Sequence, residues 1–150
     1  MKNILFLLLF NIGAISFLLA QKIALTDKQK KDIYSLIDKY SEAREKRDTI
    51  LLKNILTTDV DQLVSTGEWR DGIAASVKGM LSSSANSPGR RTLTIDKLRM
   101  LTSTSAIADC KYEITNADQT ARKMWSTFVV ISEKGVWKID AIRNMLPAGQ

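Results

Sequence analysis

The chain reads as an α+β domain in which helices come first and a curved antiparallel sheet follows. Two observations predict this. The last third of the sequence is dense in β-branched and aromatic residues and ends in two long segments, Arg122–Ser132 and Val136–Met145, joined by Glu133-Lys134-Gly135. The preceding part carries apolar residues at three- and four-residue steps behind capping residues. Helices segregated ahead of a strand meander pack on one face of its sheet. At 150 residues the chain forms one domain and can bury a core of its own.

Lys2, the apolar runs Ile4–Phe10 and Ile12–Leu19, and the small Ala20 before Gln21 fit a secretory signal peptide over residues 1–20. The expectation is a mature domain over 21–150, secreted or periplasmic, with no stable membrane anchor after cleavage. The alternative is an uncleaved anchor, because about 17 apolar residues approach the lower limit for spanning a bilayer.

Thr26 opens the first helix and has capping-box spacing with Gln29. Ile33, Leu36, Ile37, Tyr40 and Ala43 form the apolar stripe of a helix of about twenty residues. Lys28, Lys30, Lys31, Lys39 and Glu45 form its solvated face, and Glu42 and Lys46 add an i,i+4 pair. Asp48 caps a shorter second helix through Leu56, which Thr57-Thr58-Asp59 ends. Asp61–Thr66 is a short strand, and Gly67-Glu68 turns into Trp69-Arg70. Asp71 caps a third helix, Gly72–Leu81, with Ile73, Val77 and Met80 or Leu81 inward. Ser82–Gly89 reads as a loop because of its serines, Pro88 and Gly89; it is a connector or a lid beside a cleft.

Arg91–Leu101 and Ser105–Ile114 are the next strands, the second with one apolar face of Ala106, Ala108, Cys110, Tyr112 and Ile114. Asn116–Gln119 is a loop tip. The final hairpin carries Trp125, Phe128, Val129, Val130, Ile131, Trp137, Ile139 and Ile142. Apolar residues at both parities predict central strands covered on both faces.

The chain has no histidine, which removes Ser-His-Asp and Cys-His catalysis and most zinc or iron sites. No metal and no cofactor are expected. The net charge is +6, but the basic residues are scattered with short clusters at Lys28–Lys31, Arg44–Arg47 and Arg90-Arg91. No nucleic-acid partner is expected from so dispersed a footprint. The lone Cys110 cannot form an internal disulfide; in its alternating strand it reads as a buried small hydrophobe rather than a reactive thiol.

Several segments taken together resemble the nuclear transport factor 2-like superfamily, in particular SnoaL-like members of the SgcJ/EcaC type. They are Tyr40 with Asp48, Asp59-Val60, Gly67-Glu68-Trp69-Arg70-Asp71-Gly72, and Gly135-Val136-Trp137-Lys138-Ile139 running into Ala141-Ile142-Arg143-Asn144. The resemblance implies a cone: three N-terminal helices packed on a strongly curved antiparallel sheet whose concave side holds a pocket. It also implies dimerisation through the outer sheet face. The leading expectation is an exported homodimer that binds a small, partly apolar molecule, since the fold alone does not imply catalysis. The alternative is an isomerase- or cyclase-type enzyme using Tyr40 and a pocket aspartate.

The isomerase branch needs a carboxylate base and an oxyanion pair made of a tyrosine and a protonated acid. Tyr40 matches the tyrosine. The base position falls at or next to Val64, and the strand for the acid, Met124–Val130, has no carboxylate. Acid chemistry is left to Asp109 or Asp140, for which a paired or solvent-facing carboxylate is the competing reading. The ligand-binding candidates are Tyr40, Trp69, Trp125, Thr127, Arg143 and Asn144. Tyr40 must satisfy its hydroxyl on protein, water or ligand. Trp69 is pocket wall or rim packing, and Trp125 core packing or pocket wall. Arg143 is the one cation on a face with Trp137, Ile139, Ala141 and Met145; it needs an acidic partner, a dimer contact or an anionic ligand. Asn144 points the other way, so, barring a bulge, at most one of the two faces the pocket.

Overall fold

The N-terminal helix starts where its capping box closes: Gln29 N–H donates to Thr26 Oγ1 at 3.2 Å, and Thr26 N–H donates back to Gln29 Oε1 at 3.0 Å. A computed structural model describes residues 23–148, so the reading of 1–20 as a signal peptide lies outside the described residues. The elements are α1 (Asp27–Lys46), α2 (Thr49–Ile55), β1 (Leu56–Leu63), β2 (Trp69–Asp71), α3 (Gly72–Asn86), β3 (Arg90–Thr102), β4 (Ser105–Thr115), β5 (Ala121–Glu133) and β6 (Val136–Met145). The expected stripe of α1 is buried from Ile33 to Ala43 and extends to Arg44. Asp48 caps α2 by accepting from Leu51 N–H at 2.9 Å.

Six strands form one sheet in the order β2-β1-β6-β5-β4-β3, with the final hairpin at its centre as the sequence predicts. Three local expectations are corrected. First, β1 begins at Leu56, not Asp61, and runs parallel to β6, with Asp61 beside Ala141. Residues 64–135 separate these two strands, so no hairpin imposes an antiparallel pairing. Second, α3 runs on to Asn86 through the serine run. Ser83 and Ser84 are weak helix formers, but arginines hold them: Arg70 Nη2 donates to Ser83 Oγ at 3.2 Å and Arg44 Nε to Ser84 Oγ at 3.1 Å. The helix then stops at Ser87, ahead of Pro88. Third, Asp71 stands at the N-cap of α3 without a side-chain capping bond.

Bulges bend the sheet. They lie between Ile95 and Lys97, between Met100 and Thr102, and where β5 meets β6 at Val129/Val130. Val129 pairs with Ala141 and Val130 with Ile139, so Asp140 is the extra residue. The helices fill the concave face. Tyr40 packs edge-on against Phe128, with ring centroids 5.2 Å apart, among Ile33, Ile37, Met80, Val60, Ile139 and Ile142. Tyr112, Ile114 and Met124 form a separate, smaller cluster on the same face, nearer the β4–β5 turn. Cys110 is fully buried on this face, and burial, with Asp109 adding to it, pushes its thiol up to about 12.

Candidate functional site

Beside the main apolar cluster, Gln62, Ser126 and Asn144 put polar groups on the concave face. Across β1, β6, β5 and β4, Gln62, Ile142, Phe128 and Ala108 share one row; Asn144, Ser126 and Cys110 share the next. Here α1, β2 and β3 contribute Arg44, Arg70 and Arg91, and β5 contributes Arg122. These four arginines surround a cavity of about 60 Å³ whose lining includes Gln62, Tyr112, Met124 and Asn144. Larger hollows lie outside α1, one of about 520 Å³ against Leu36, Leu51 and Val136. Their cations stand among carboxylates: Lys28 is paired with Asp32, and the hollow of about 410 Å³ that Lys46, Arg90 and Arg91 line is lined also by Asp38, Glu42 and Glu45.

Arg44 continues the buried stripe one turn beyond Tyr40 and is 4% exposed. Its Nη1 donates to the Tyr40 hydroxyl at 2.8 Å and its Nε to Ser84, while Nη2 has no partner among the described residues. Arg91, 6% exposed, donates Nη1 and Nη2 to the carbonyls of Gly89 and Ser87, which leaves its buried Nε–H without a partner. Arg70 is the best satisfied: Nε reaches Glu68 Oε1 at 2.8 Å and Nη1 reaches Gln62 Oε1 at 3.2 Å. Arg122 donates to Ser65 at the rim. Glu68 is the one carboxylate that pairs with any of these four among the described residues. It is exposed on the turn before β2, and the hydrogen bond and charge of Arg70 hold it below the usual carboxylate range.

The side-chain carbonyls facing this space are already used. Gln62 Oε1 accepts from Arg70, and Asn144 Oδ1 accepts a short hydrogen bond from Ser126. Their NH₂ ends are left, with Arg44 Nη2 and Arg91 Nε. Apart from hydroxyls, the side-chain groups still seeking partners are therefore donors. Of these the Arg91 Nε–H is the one buried atom without a partner among the described residues, and a buried donor without an acceptor is costly.

Arg70 reaches the cavity because Gly79 on α3 lets it pass. A Cβ at residue 79 would lie 2.3 Å from Arg70 Nε and 2.5 Å from its Cδ and Cζ. Gly79→Ala should move Arg70 off Gln62 and Ser83. Helix propensity favours alanine by about 1 kcal/mol and so offsets part of the clash. The expected result is a small change in urea midpoint with a severalfold change in ligand affinity, read together on one preparation.

Tyr40 is 1% exposed and does not line the cavity; it lies behind Arg44, from whose Nη1 its hydroxyl accepts. Burial pushes its phenol above the ordinary value, against the opposing pull of the Arg44 charge. A phenol raised in the fold contributes stability that is present below the unfolded value near 10 and is lost as pH rises above it. Absorbance at 295 nm should show a tyrosine that ionises late in the folded protein, and Tyr40→Phe should remove that phase.

Of the expected site residues the structure places Asn144 on this cavity and Tyr40 behind Arg44, and the others lie away from it. The bulge at Asp140 reverses the parity of β6: Trp137 and Ile139 face inward before it, Ile142 and Asn144 after it. Arg143 therefore lies on the outer face, not with Trp137 and Ile139. There it grips Asp61 with both Nη groups, at 2.7 and 2.9 Å, and its guanidinium lies 4.7 Å from the centroid of the exposed Trp69 ring. Thr127, its neighbour in register, donates to Asp109 Oδ1 at 2.6 Å. Trp125 is exposed on the outer face under Lys111, because Met124 and Ser126 take the inward positions. Asp140 accepts from Thr57 at 3.0 Å. Asp109 and Asp140 thus line no common cavity with Tyr40, and the carboxylate–tyrosine pairing required by the isomerase reading does not form.

Sequence reasoning missed Arg44, Arg70, Arg91, Arg122 and Gln62. Two signals were available. Arg44 is spaced i+4 from Tyr40 on the buried stripe, and Arg91 shares the parity of Leu93 and Ile95, which pack against the core.

No family model matches the chain, and no curated protein matches it in sequence. Solved structures do match in fold. One is a nuclear transport factor 2-like protein of unknown function from Shewanella oneidensis: TM-score 0.66, 18% identity, covering 77% of this chain and 98% of that one. Another is a protein of unknown function with a cystatin-like fold from Nostoc punctiforme: TM-score 0.72, 14% identity, covering 85% and 97%. A third is a putative calcium/calmodulin-dependent protein kinase II association domain from Xanthomonas campestris: TM-score 0.65, 16% identity, covering 86% and 96%. With three helices closing the concave side of a bent six-stranded sheet, the chain has the nuclear transport factor 2-like fold.

Proposed function

We propose that the protein is a binding module whose interior cavity takes a small anion. The observation that carries this reading is the convergence of Arg44, Arg70, Arg91 and Arg122 on one cavity, with two of them buried and unpaired by any carboxylate among the described residues. A buried unpaired cation is expensive, and an anion that accepts charge-assisted hydrogen bonds from it relieves that cost. At about 60 Å³ the cavity is far smaller than a drug-sized pocket of roughly 300–1,000 Å³, so its occupant contributes only a few heavy atoms.

Thermal unfolding at constant ionic strength, with formate or acetate replacing a large excluded anion, tests this. At about 100 times the dissociation constant, binding adds about 2.7 kcal/mol, or roughly 10 °C in a domain of this size. Unfolding midpoints that are the same in every anion would contradict the reading.

Export and dimerisation belong to the same proposal. Lys2 and the apolar run support export, and an intact-mass measurement of protein from the native host should show a chain starting at Gln21. The half-buried outer row of Ile107, Val129 and Ala141 supports pairing of two copies. Val129→Lys should then shift the mass seen by light scattering from dimer to monomer.

A further inference from the structure

We infer that the anion is a small organic carboxylate with a compact apolar tail, rather than an inorganic oxyanion. This rests on the anion reading above and adds the ligand's other half. The cavity has two unlike sides. The guanidiniums of Arg44, Arg70 and Arg91 arrive from α1, β2 and β3, whereas Tyr112, Ile114 and Met124 rise from the floor of β4 and β5.

Those three residues form an apolar cluster of their own, separate from the main core and supported by Leu93. They are buried, at 4%, 7% and 6% exposure, yet they border the same cavity as the arginines. A sulfate or phosphate presents oxygen on every side and would leave acceptors against this apolar floor, where nothing but the Tyr112 hydroxyl can meet them. A carboxylate concentrates its acceptors at one end. It can take charge-assisted hydrogen bonds from Arg44 Nη2 and hydrogen bonds from the amide NH₂ groups of Gln62 and Asn144, while its carbon tail lies on Met124 and Ile114. Met124 adds adaptable surface for tails of differing shape. The open side, at Ser65 and Arg122, leaves room for the tail to lengthen toward solvent.

Calorimetric titration of the mature chain with formate, acetate, propionate and butyrate tests the inference. Acetamide, propionamide, sulfate and phosphate serve as comparisons, all at one ionic strength. The expected result is affinity rising up to about fourfold per added methylene, no binding of the amides, and weaker binding of sulfate and phosphate than of butyrate. In Met124→Ser the ratio of butyrate to formate affinity should fall severalfold; Ile114→Ser, should the first variant unfold, provides the same comparison. Sulfate or phosphate binding as tightly as butyrate, or affinity flat along the series, would overturn the carboxylate assignment and leave the anion site standing. Failure of every anion to bind would overturn both.

Discussion

Replacing Arg44 with methionine should leave the protein folded and abolish its response to anions. In the free protein Arg44 is a cation at 4% exposure whose partners are two hydroxyls, Ser84 and Tyr40. Removing it loses those hydrogen bonds, each worth about 1 kcal/mol. It also removes a desolvated charge with no carboxylate beside it, a change that is often neutral or favourable. The two effects oppose each other, so the urea stability of the ligand-free variant should stay within about 2 kcal/mol of the parent. Bound anion has no such compensation. Losing one partner of a buried charged pair costs about 2–5 kcal/mol, so affinity should fall at least roughly thirtyfold. Arg44→Lys should recover only part of it, because a lysine supplies charge without the guanidinium fork. Denaturation with and without acetate separates the two quantities.

Asn144→Asp should raise stability and mimic the ligand. The residue stands beside Ser126 on the cavity wall, and its Oδ1 already accepts the Ser126 hydroxyl. A carboxylate there keeps that bond and exchanges a competing donor for an acceptor among the arginines. Hydrogen bonds to a charged group contribute about 1.5–3 kcal/mol, several degrees or more in unfolding temperature. The introduced carboxylate should titrate below its unfolded value. Its contribution would then be present above about pH 4 and lost as the pH falls through the folded value. Added acetate or formate should no longer raise the unfolding temperature of this variant. A less stable variant at neutral pH would mean that the cavity does not favour negative charge.

The sequence made the frame legible because periodicity decides it. The stripe from Ile33 to Ala43, the Thr26 and Asp48 caps and the apolar final hairpin each correspond to an element of the structure. The serine run from Ser82 reads as a loop because its helical state depends on arginines from α1 and β2 that local sequence does not display. The site was less legible for a related reason. One extra residue at Asp140 exchanges the faces of Arg143 and Asn144, and a single-residue bulge carries no strong composition signal. Arg143, the cation singled out from the sequence, is paired with Asp61, whereas Arg44 and Arg91 stand in the sequence only as members of short basic clusters. Buried arginines are uncommon enough that a basic residue is first assigned to solvent. The position of Arg44 on the apolar stripe and the parity of Arg91 with Leu93 and Ile95 argue otherwise.

Anomalous scattering from a crystal grown or soaked in bromide tests most directly whether the cavity holds an anion. The predicted result is a peak inside the cavity, within about 3.5 Å of Arg44 Nη2 or Arg91 Nε, that is lost when acetate is added in excess and absent from crystals of Arg44→Met. A cavity that stays free of bromide while Arg44 and Arg91 keep their positions would contradict it.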